Sequence, residues 1–172
     1  TVTGSSDVYS SDLELTRLTP AALSDLRLRR IGFIFQSYNL VPVLSAYENA
    51  EFVMLLQGVP PARRREVVRK TLADVGLAGL EDRRPGELSG GQQQRVAVAR
   101  AIASEPALVL ADEPTANLDS KTAHALIELM RHLNEAHGIT FVFATHDPKV
   151  LDAARRVVHL VDGRIASDER RR

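Results

Sequence analysis

Residues 107–113 read Ala107-Leu108-Val109-Leu110-Ala111-Asp112-Glu113, five apolar residues in succession ending on two carboxylates. An apolar run of this length without polar alternation is the pattern of a strand buried on both faces of a parallel sheet. Open parallel sheets bind their ligands at the carboxyl ends of the strands, which is where Asp112 and Glu113 emerge. One carboxylate there can hold Mg²⁺ through its water shell while its neighbour accepts a proton from an attacking water, two roles that phosphoryl transfer requires. Asp112 suits the first role and Glu113 the second. The alternative is that Asp112-Glu113-Pro114-Thr115 merely opens a loop and caps a helix.

Outward from this strand, strand and helix patterns alternate. Thr122 to Ala136 has the spacing of an amphipathic helix, Ile139 to Ala144 is a second buried strand, and Pro148 to Ala154 restarts a helix. Val157 to Val161, Asp162-Gly163 and Arg164 to Ala166 read as a hairpin with an Asp-Gly turn, followed by a frayed tail at Arg170 to Arg172. On the amino-terminal side, Thr19-Pro20 resembles a helix cap with proline at the first helical position, opening a helix to about Arg29. Ile31-Gly32-Phe33-Ile34-Phe35-Gln36 is a short strand with Gln36 at its end. Leu44 to Gln57 and Pro61 to Val75 are helical patterns separated by the breaker cluster Gly58-Val59-Pro60-Pro61, and together they predict a small helical subdomain. The class is therefore α/β, with no internal repeat.

Composition fits an ordinary globular chain: 172 residues, 22 basic against 22 acidic side chains, 44% hydrophobic and 26% charged. Zero net charge argues against nucleic-acid binding through a bulk basic field. The sequence has no cysteine, which removes disulfides, thiolate metal sites and a cysteine nucleophile, and fits a reducing compartment. No run approaches the ~18 apolar residues of a membrane-spanning helix, and Thr1 to Asp12 lacks an export signal, so a chain soluble by itself is expected.

Leu88-Ser89-Gly90-Gly91-Gln92 precedes a helix that ends before Pro106. Backbone N–H groups, a serine hydroxyl and the positive end of a helix dipole make this turn an anion site in principle. The same five residues resemble the signature motif of ABC-type ATPases, and Leu108 to Glu113 resembles their Walker B strand with its catalytic glutamate. Further landmarks follow in the family's order. Gln36 resembles the Q-loop glutamine, Asn117-Leu118-Asp119 the D-loop, and Ala144-Thr145-His146-Asp147 the switch-histidine motif.

The resemblance implies a P-loop NTPase-like core, a parallel sheet with flanking helices, plus the helical subdomain. Residues of about 40–100 would form that subdomain, and 1–39 with 101–172 the remainder of the core. It implies ATP and Mg²⁺ as cofactors, with Glu113 as catalytic base, Asp112 and Gln36 near the metal, and His146 bonded to the γ-phosphate. Gln36 would also sense an integral membrane permease through Ser37 to Val43. Ser89, Gly90, Gly91 and Gln92 would bind ATP held by a second ATPase protomer in a head-to-tail dimer, and Asp119 would bridge the two. The stretch from Ile31 to Pro42, Glu48-Asn49-Ala50 and Ala116 to Asp119 resemble the branch serving lipoprotein release and macrolide export. That implies a place on the cytoplasmic face of the inner membrane and transport or extraction of a lipoprotein, a macrolide or a peptide-like cargo.

The sequence departs from the family at one point. Nowhere does it contain Gly, four residues, then Gly-Lys-Ser or Gly-Lys-Thr, and its three lysines, Lys70, Lys121 and Lys149, follow no glycine-rich turn. Thr1-Val2-Thr3-Gly4 resembles the segment just after the phosphate-loop helix, so the expectation is an amino-terminally truncated ATPase that binds ATP weakly alone. The β-sheet would then carry an uncovered edge or face. A second reading keeps the same residues in a module that hydrolyses nothing, yet docks on a membrane subunit or complements a partner ATPase. A nucleic-acid-dependent ATPase sharing the signature motif is disfavoured by the neutral charge.

Overall fold

The computed structural model describes residues 15–171. The expectations placed on Thr1 to Gly4 and on Arg172 lie outside the described residues. A short 3-10 turn at Leu15–Arg17 leads into α1 (Pro20–Arg30), which starts where the Thr19 hydroxyl accepts the Ala22 N–H and Pro20 stands in the first turn. The chain then passes directly into β1 (Ile31–Ile34).

Helix α2 (Ala46–Leu56) starts two residues later than its apolar pattern because Ser45 and Glu48 close a capping box at its N-terminus. Its inner face buries Ala46, Asn49, Ala50 and Met54. Asn49 spends its whole amide on the preceding loop. Its oxygen accepts the Val41 N–H at 2.8 Å, and its nitrogen donates to the Val41, Leu44 and Ser45 carbonyls at 3.0–3.2 Å. The segment that follows Gln36 is thereby fixed to the helix. Helix α3 (Pro61–Asp74) packs against α2 and buries Val68, Thr71 and Leu72.

Helix α4 (Gly90–Ile102) is the centre of the molecule: Gln94, Val96 to Ala99, Ala101 and Ile102 are buried, and the helix touches α2, α3 and β1. Strand β2 (Leu108–Asp112) lies between β1 and β3 (Thr140–Ala144), parallel to both. Ile34 pairs with Ala111, and Asp112 pairs with Ala144. One face of this sheet, carrying Ile34, Val109 and Ala111, is buried against the helices. On the opposite face Phe33, Phe35 and Val142 remain 37%, 40% and 49% exposed. Among the described residues this parallel sheet is covered on one face only, unlike the usual two-sided burial of its kind.

Helix α5 (Ser120–His137) begins two residues before the pattern suggested, because Asp119 caps it, and stops at Gly138 in the left-handed conformation (φ 68°). Helix α6 (Pro148–Ala153) is capped by Asp147. The chain closes with the antiparallel pair β4 (Arg156–Val161) and β5 (Arg164–Arg170), joined by Asp162 and Gly163 at φ 48° and 73°. Two consecutive left-handed residues are what a two-residue hairpin turn demands. The frayed tail expected at Arg170 is corrected here: Arg170 pairs with Arg156, and the Arg171 N–H donates to the Arg155 carbonyl at 2.8 Å. A bidentate pair between Arg156 and Asp168, at 2.8 and 2.6 Å, holds the polar strand that composition alone marks as solvated.

Candidate functional site

The parallel register gathers the loops after β1, β2 and β3 at one edge of the sheet. Glu113 follows β2 directly and adopts φ 42°, a left-handed conformation that costs a glutamate of order 1 kcal/mol and persists only where surroundings enforce it. Several contacts enforce it. The Glu113 N–H donates to the Ala144 carbonyl at 2.9 Å. Its carboxylate accepts the Thr145 hydroxyl at 2.9 Å and the His146 N–H at 3.1 Å, and it lies 2.5 Å from His146 Nδ1. The Glu113 side chain is 20% exposed and the His146 ring 90%, so the pair joins a sheltered carboxylate to an imidazole open to solvent. Burial works to raise the Glu113 pKa, but the hydrogen bonds from His146 and Thr145 outweigh it and hold the carboxyl below its ordinary value.

A second tie runs between the same loops. Thr115, itself buried, donates its hydroxyl to the Asp147 carboxylate at 2.8 Å, and the Asp147 N–H donates to the Thr145 hydroxyl at 3.0 Å. Thr145 thus accepts from Asp147 while donating to Glu113. Neither Thr115 nor Thr145 carried a role in the sequence reading. Their partners lie 32 residues away, and only the β2–β3 register brings them together.

Asp112 ends β2 with an exposed side chain, and exposed Gln36 follows the neighbouring β1. Both offer hard oxygen donors at adjacent strand ends, a donor set suited to Mg²⁺, although no cluster of three or more carboxylate, histidine or cysteine ligands occurs among the described residues. The Gln36 carbonyl accepts the Asn117 side-chain N–H at 2.8 Å, tying the loop after β1 to the one before α5. Asp119 accepts the Lys121 and Thr122 N–H groups at 3.0 Å and the Thr122 hydroxyl at 2.5 Å, so its carboxylate is engaged in capping α5.

Ser89, Gly90, Gly91 and Gln92 form the start of α4. The Ser89 hydroxyl accepts the Gln92 N–H at 3.3 Å, while Gln92 Oε1 accepts the Ser89 N–H at 2.8 Å. Ser89 and Gly90 are exposed. A Cβ at Gly91 would lie 2.6 Å from the Thr122 methyl, so glycine is required there for α4 and α5 to approach. The structure therefore groups Glu113, His146, Asp112 and Gln36 at the strand ends and sets Ser89 to Gln92 apart on the α4 N-terminus. No hydrogen bond or ion pair links the two groups directly among the described residues.

Hydrogen bonding lowers the carboxyl pKa of Asp119, through Thr122 first, and of Asp147, through the Lys149 N–H and then Thr115. A carboxyl whose folded pKa is depressed contributes stability above its unfolded pKa and loses it as pH falls through the folded value. The thermal midpoint is therefore expected to hold from neutral pH to about 5 and to drop below about 4, the ordinary carboxylate range. Melting curves at pH 7, 5, 4 and 3 check this; an equal midpoint at pH 7 and 3 would contradict it.

A family model for the ABC transporter matches residues 9–116. An uncharacterized ABC transporter ATP-binding protein of Thermotoga maritima is 48% identical over 158 residues, which is 92% of this chain and 67% of that protein. The macrolide export ATP-binding/permease protein MacB of Rhodopirellula baltica is 43% identical over 96% of this chain, which spans 25% of MacB. Among solved structures, the dimeric post-hydrolysis state of the ATP-binding cassette MJ0796 of Methanocaldococcus jannaschii, bound to ADP and Pi, superposes with a TM-score of 0.80. It is 38% identical and covers 94% of this chain and 72% of its own. The α/β fold, the parallel sheet and the ordered motifs agree with these matches: the chain belongs to the ABC transporter family and is by descent an ABC-type ATPase domain.

Proposed function

We propose that this domain belongs to an ATP-binding subunit that couples ATP hydrolysis to transport or extraction of a lipoprotein, macrolide or peptide-like cargo. It would act at the cytoplasmic face of the inner membrane, as a head-to-tail pair of protomers beside an integral permease. The observation that carries this reading is the Glu113 carboxylate, held at the end of β2 by Thr145 and His146. Glu113 takes the proton of the attacking water, His146 keeps that water and the γ-phosphate in line, and Thr145 fixes the carboxylate's orientation. Asp112 and the Gln36 amide would hold Mg²⁺, which when bound neutralises phosphate charge. Ser89 to Gln92 stand at the α4 N-terminus, where Ser89 and Gly90 are exposed; the Gly90 and Gly91 N–H groups and the Ser89 hydroxyl would meet nucleotide on a second protomer, Gln92 would hold the turn through its capping bonds, and Asp119 stands at that junction. The permease would be sensed through 37–43. In this reading residues of about 40–100 make up the helical subdomain, and the described residues on either side of them belong to the core. Among the described residues no helix is long and apolar enough to cross a membrane.

The absence of Gly-Lys-Ser or Gly-Lys-Thr from all 172 residues bears on what this chain does alone. That loop and its lysine would supply the main charge-assisted contacts to the β- and γ-phosphates, each worth roughly 1.5–3 kcal/mol. The same observation favours a second reading, a non-hydrolysing module that docks on a membrane subunit or complements a partner ATPase. Titration of a fluorescent ATP analogue with Mg²⁺ separates the possibilities. The 172-residue chain is expected to bind at least about a hundredfold more weakly than the same chain joined at its N-terminus to a phosphate-loop segment. Tight binding by the chain alone would mean that other groups cradle the phosphates. Tight binding by the joined form without turnover would favour the second reading.

A further inference from the structure

The loop after β1 is held more firmly than its sequence explains. Tyr38 and Asn39 adopt φ 60° and 49°, and while asparagine tolerates the left-handed region, tyrosine does so at a cost. Two consecutive residues of this kind need support from outside the loop. Each carbonyl from Phe35 to Asn39 accepts a hydrogen bond. Phe35 and Ser37 are met by the loop's own Tyr38 and Asn39 N–H groups at 3.1 and 2.6 Å. The other three are met by side chains from elsewhere: Asn117 on Gln36 at 2.8 Å, and Arg100 on Tyr38 and Asn39 at 2.7 and 2.5 Å.

Arg100 lies on α4, 61 and 62 residues from these partners, and its guanidinium forks across two successive carbonyls. No carboxylate pairs with it among the described residues, and burial pushes its pKa down. The cation is thus committed to the loop backbone. From the same loop the Tyr38 hydroxyl reaches the start of α4, where a Cβ at Gly90 would lie 3.3 Å from it. One helix therefore touches the loop twice, through Arg100 near its end and through Gly90 at its N-terminus.

We infer that Arg100 is a positioning residue that clamps the loop after Gln36 to α4, the helix that opens at the Ser89–Gly91 turn, while Asn117 ties Gln36 itself to the loop before α5. This rests on the proposed function for its catalytic meaning, but not for its geometry. A lysine keeps the charge and much of the volume of Arg100, yet one ammonium cannot reproduce a planar fork on two carbonyls. A role in packing or charge alone is preserved in Arg100→Lys, whereas the clamp is lost.

Amide hydrogen exchange of the 172-residue chain tests this without nucleotide. In both Arg100→Lys and Arg100→Ala, exchange in segment 36–44 is expected to rise at least about tenfold, while β2 and α5 exchange as in the parent. Asn117→Ala is expected to raise exchange at 36–40. Because the sequence has no tryptophan, Ser37→Trp adds a single reporter, whose fluorescence anisotropy is expected to fall when combined with Arg100→Lys. Unchanged exchange in Arg100→Lys or uniform acceleration along the chain would each overturn the inference. Since no ATP is involved, failure of the ATPase reading leaves these outcomes decisive, and their failure leaves that reading intact.

Discussion

Gly32→Ala is expected to lower the thermal midpoint by about 10 °C or to abolish the cooperative transition. Gly32 lies in β1 where strand and helix approach tightly: an added Cβ would collide with the Ala101 carbonyl oxygen and sit 3.1 Å from a Val109 methyl. The first obstacle is backbone in the last turn of α4, and the second belongs to a side chain with no exposed surface. Neither can swing aside, so β1 must move away from α4 and open the packing around Ile34 and Ala111. Overpacking of this kind costs about 1–3 kcal/mol and sometimes more, and each kcal/mol shifts the midpoint of a domain this size by roughly 2–4 °C. The open sheet face at Phe33, Phe35 and Val142 leaves little reserve. Gly86→Ala, where an added Cβ meets nothing within 4 Å, is the control and is expected to leave the midpoint nearly unchanged. Equal midpoints for the two variants would contradict the close contact of β1 and α4.

Glu113→Gln is expected to reduce ATP turnover by about 10²–10⁴-fold in the chain carrying an added phosphate loop, with nucleotide affinity unchanged within a few-fold. The glutamine amide oxygen can still accept from Thr145 or from the His146 N–H, so the loop geometry of the left-handed residue 113 survives. What is lost is the capacity to take a proton. A steady-state assay beside an ATP-analogue titration separates turnover from binding. A loss of affinity parallel to the loss of turnover would place Glu113 in binding rather than in proton transfer.

The strands and helices were legible because their signals are local. An unbroken apolar run at 107–111, the Asp162-Gly163 turn and the glycines before α4 each declare themselves within a few residues. Helix starts shifted by about two residues where a cap, Ser45 or Asp119, decided the boundary over the apolar pattern. The carboxyl-terminal strand was misjudged at Arg170, because its stability comes from cross-strand partners such as Arg156 and Asp168, not from its own hydrophobicity. At the site, the motif residues were legible one at a time, and their mutual contacts were not. That Thr145 would meet Glu113 depends on Asp112 lying beside Ala144, and that Arg100 would meet Tyr38 depends on α4 crossing the loop after β1. Long-range pairing leaves no imprint in a single sequence.

The most direct test of an ABC-type ATPase site that needs an added phosphate loop to act is phosphate release from MgATP. It is measured for the 172-residue chain, for the chain joined to a phosphate-loop segment, and for each with Glu113→Gln. The expected result is no release above the blank from the chain alone, clear release from the joined form, and loss of that release in its Glu113→Gln variant. Release by the 172-residue chain itself, abolished by Glu113→Gln, would contradict the dependence on a separate phosphate loop.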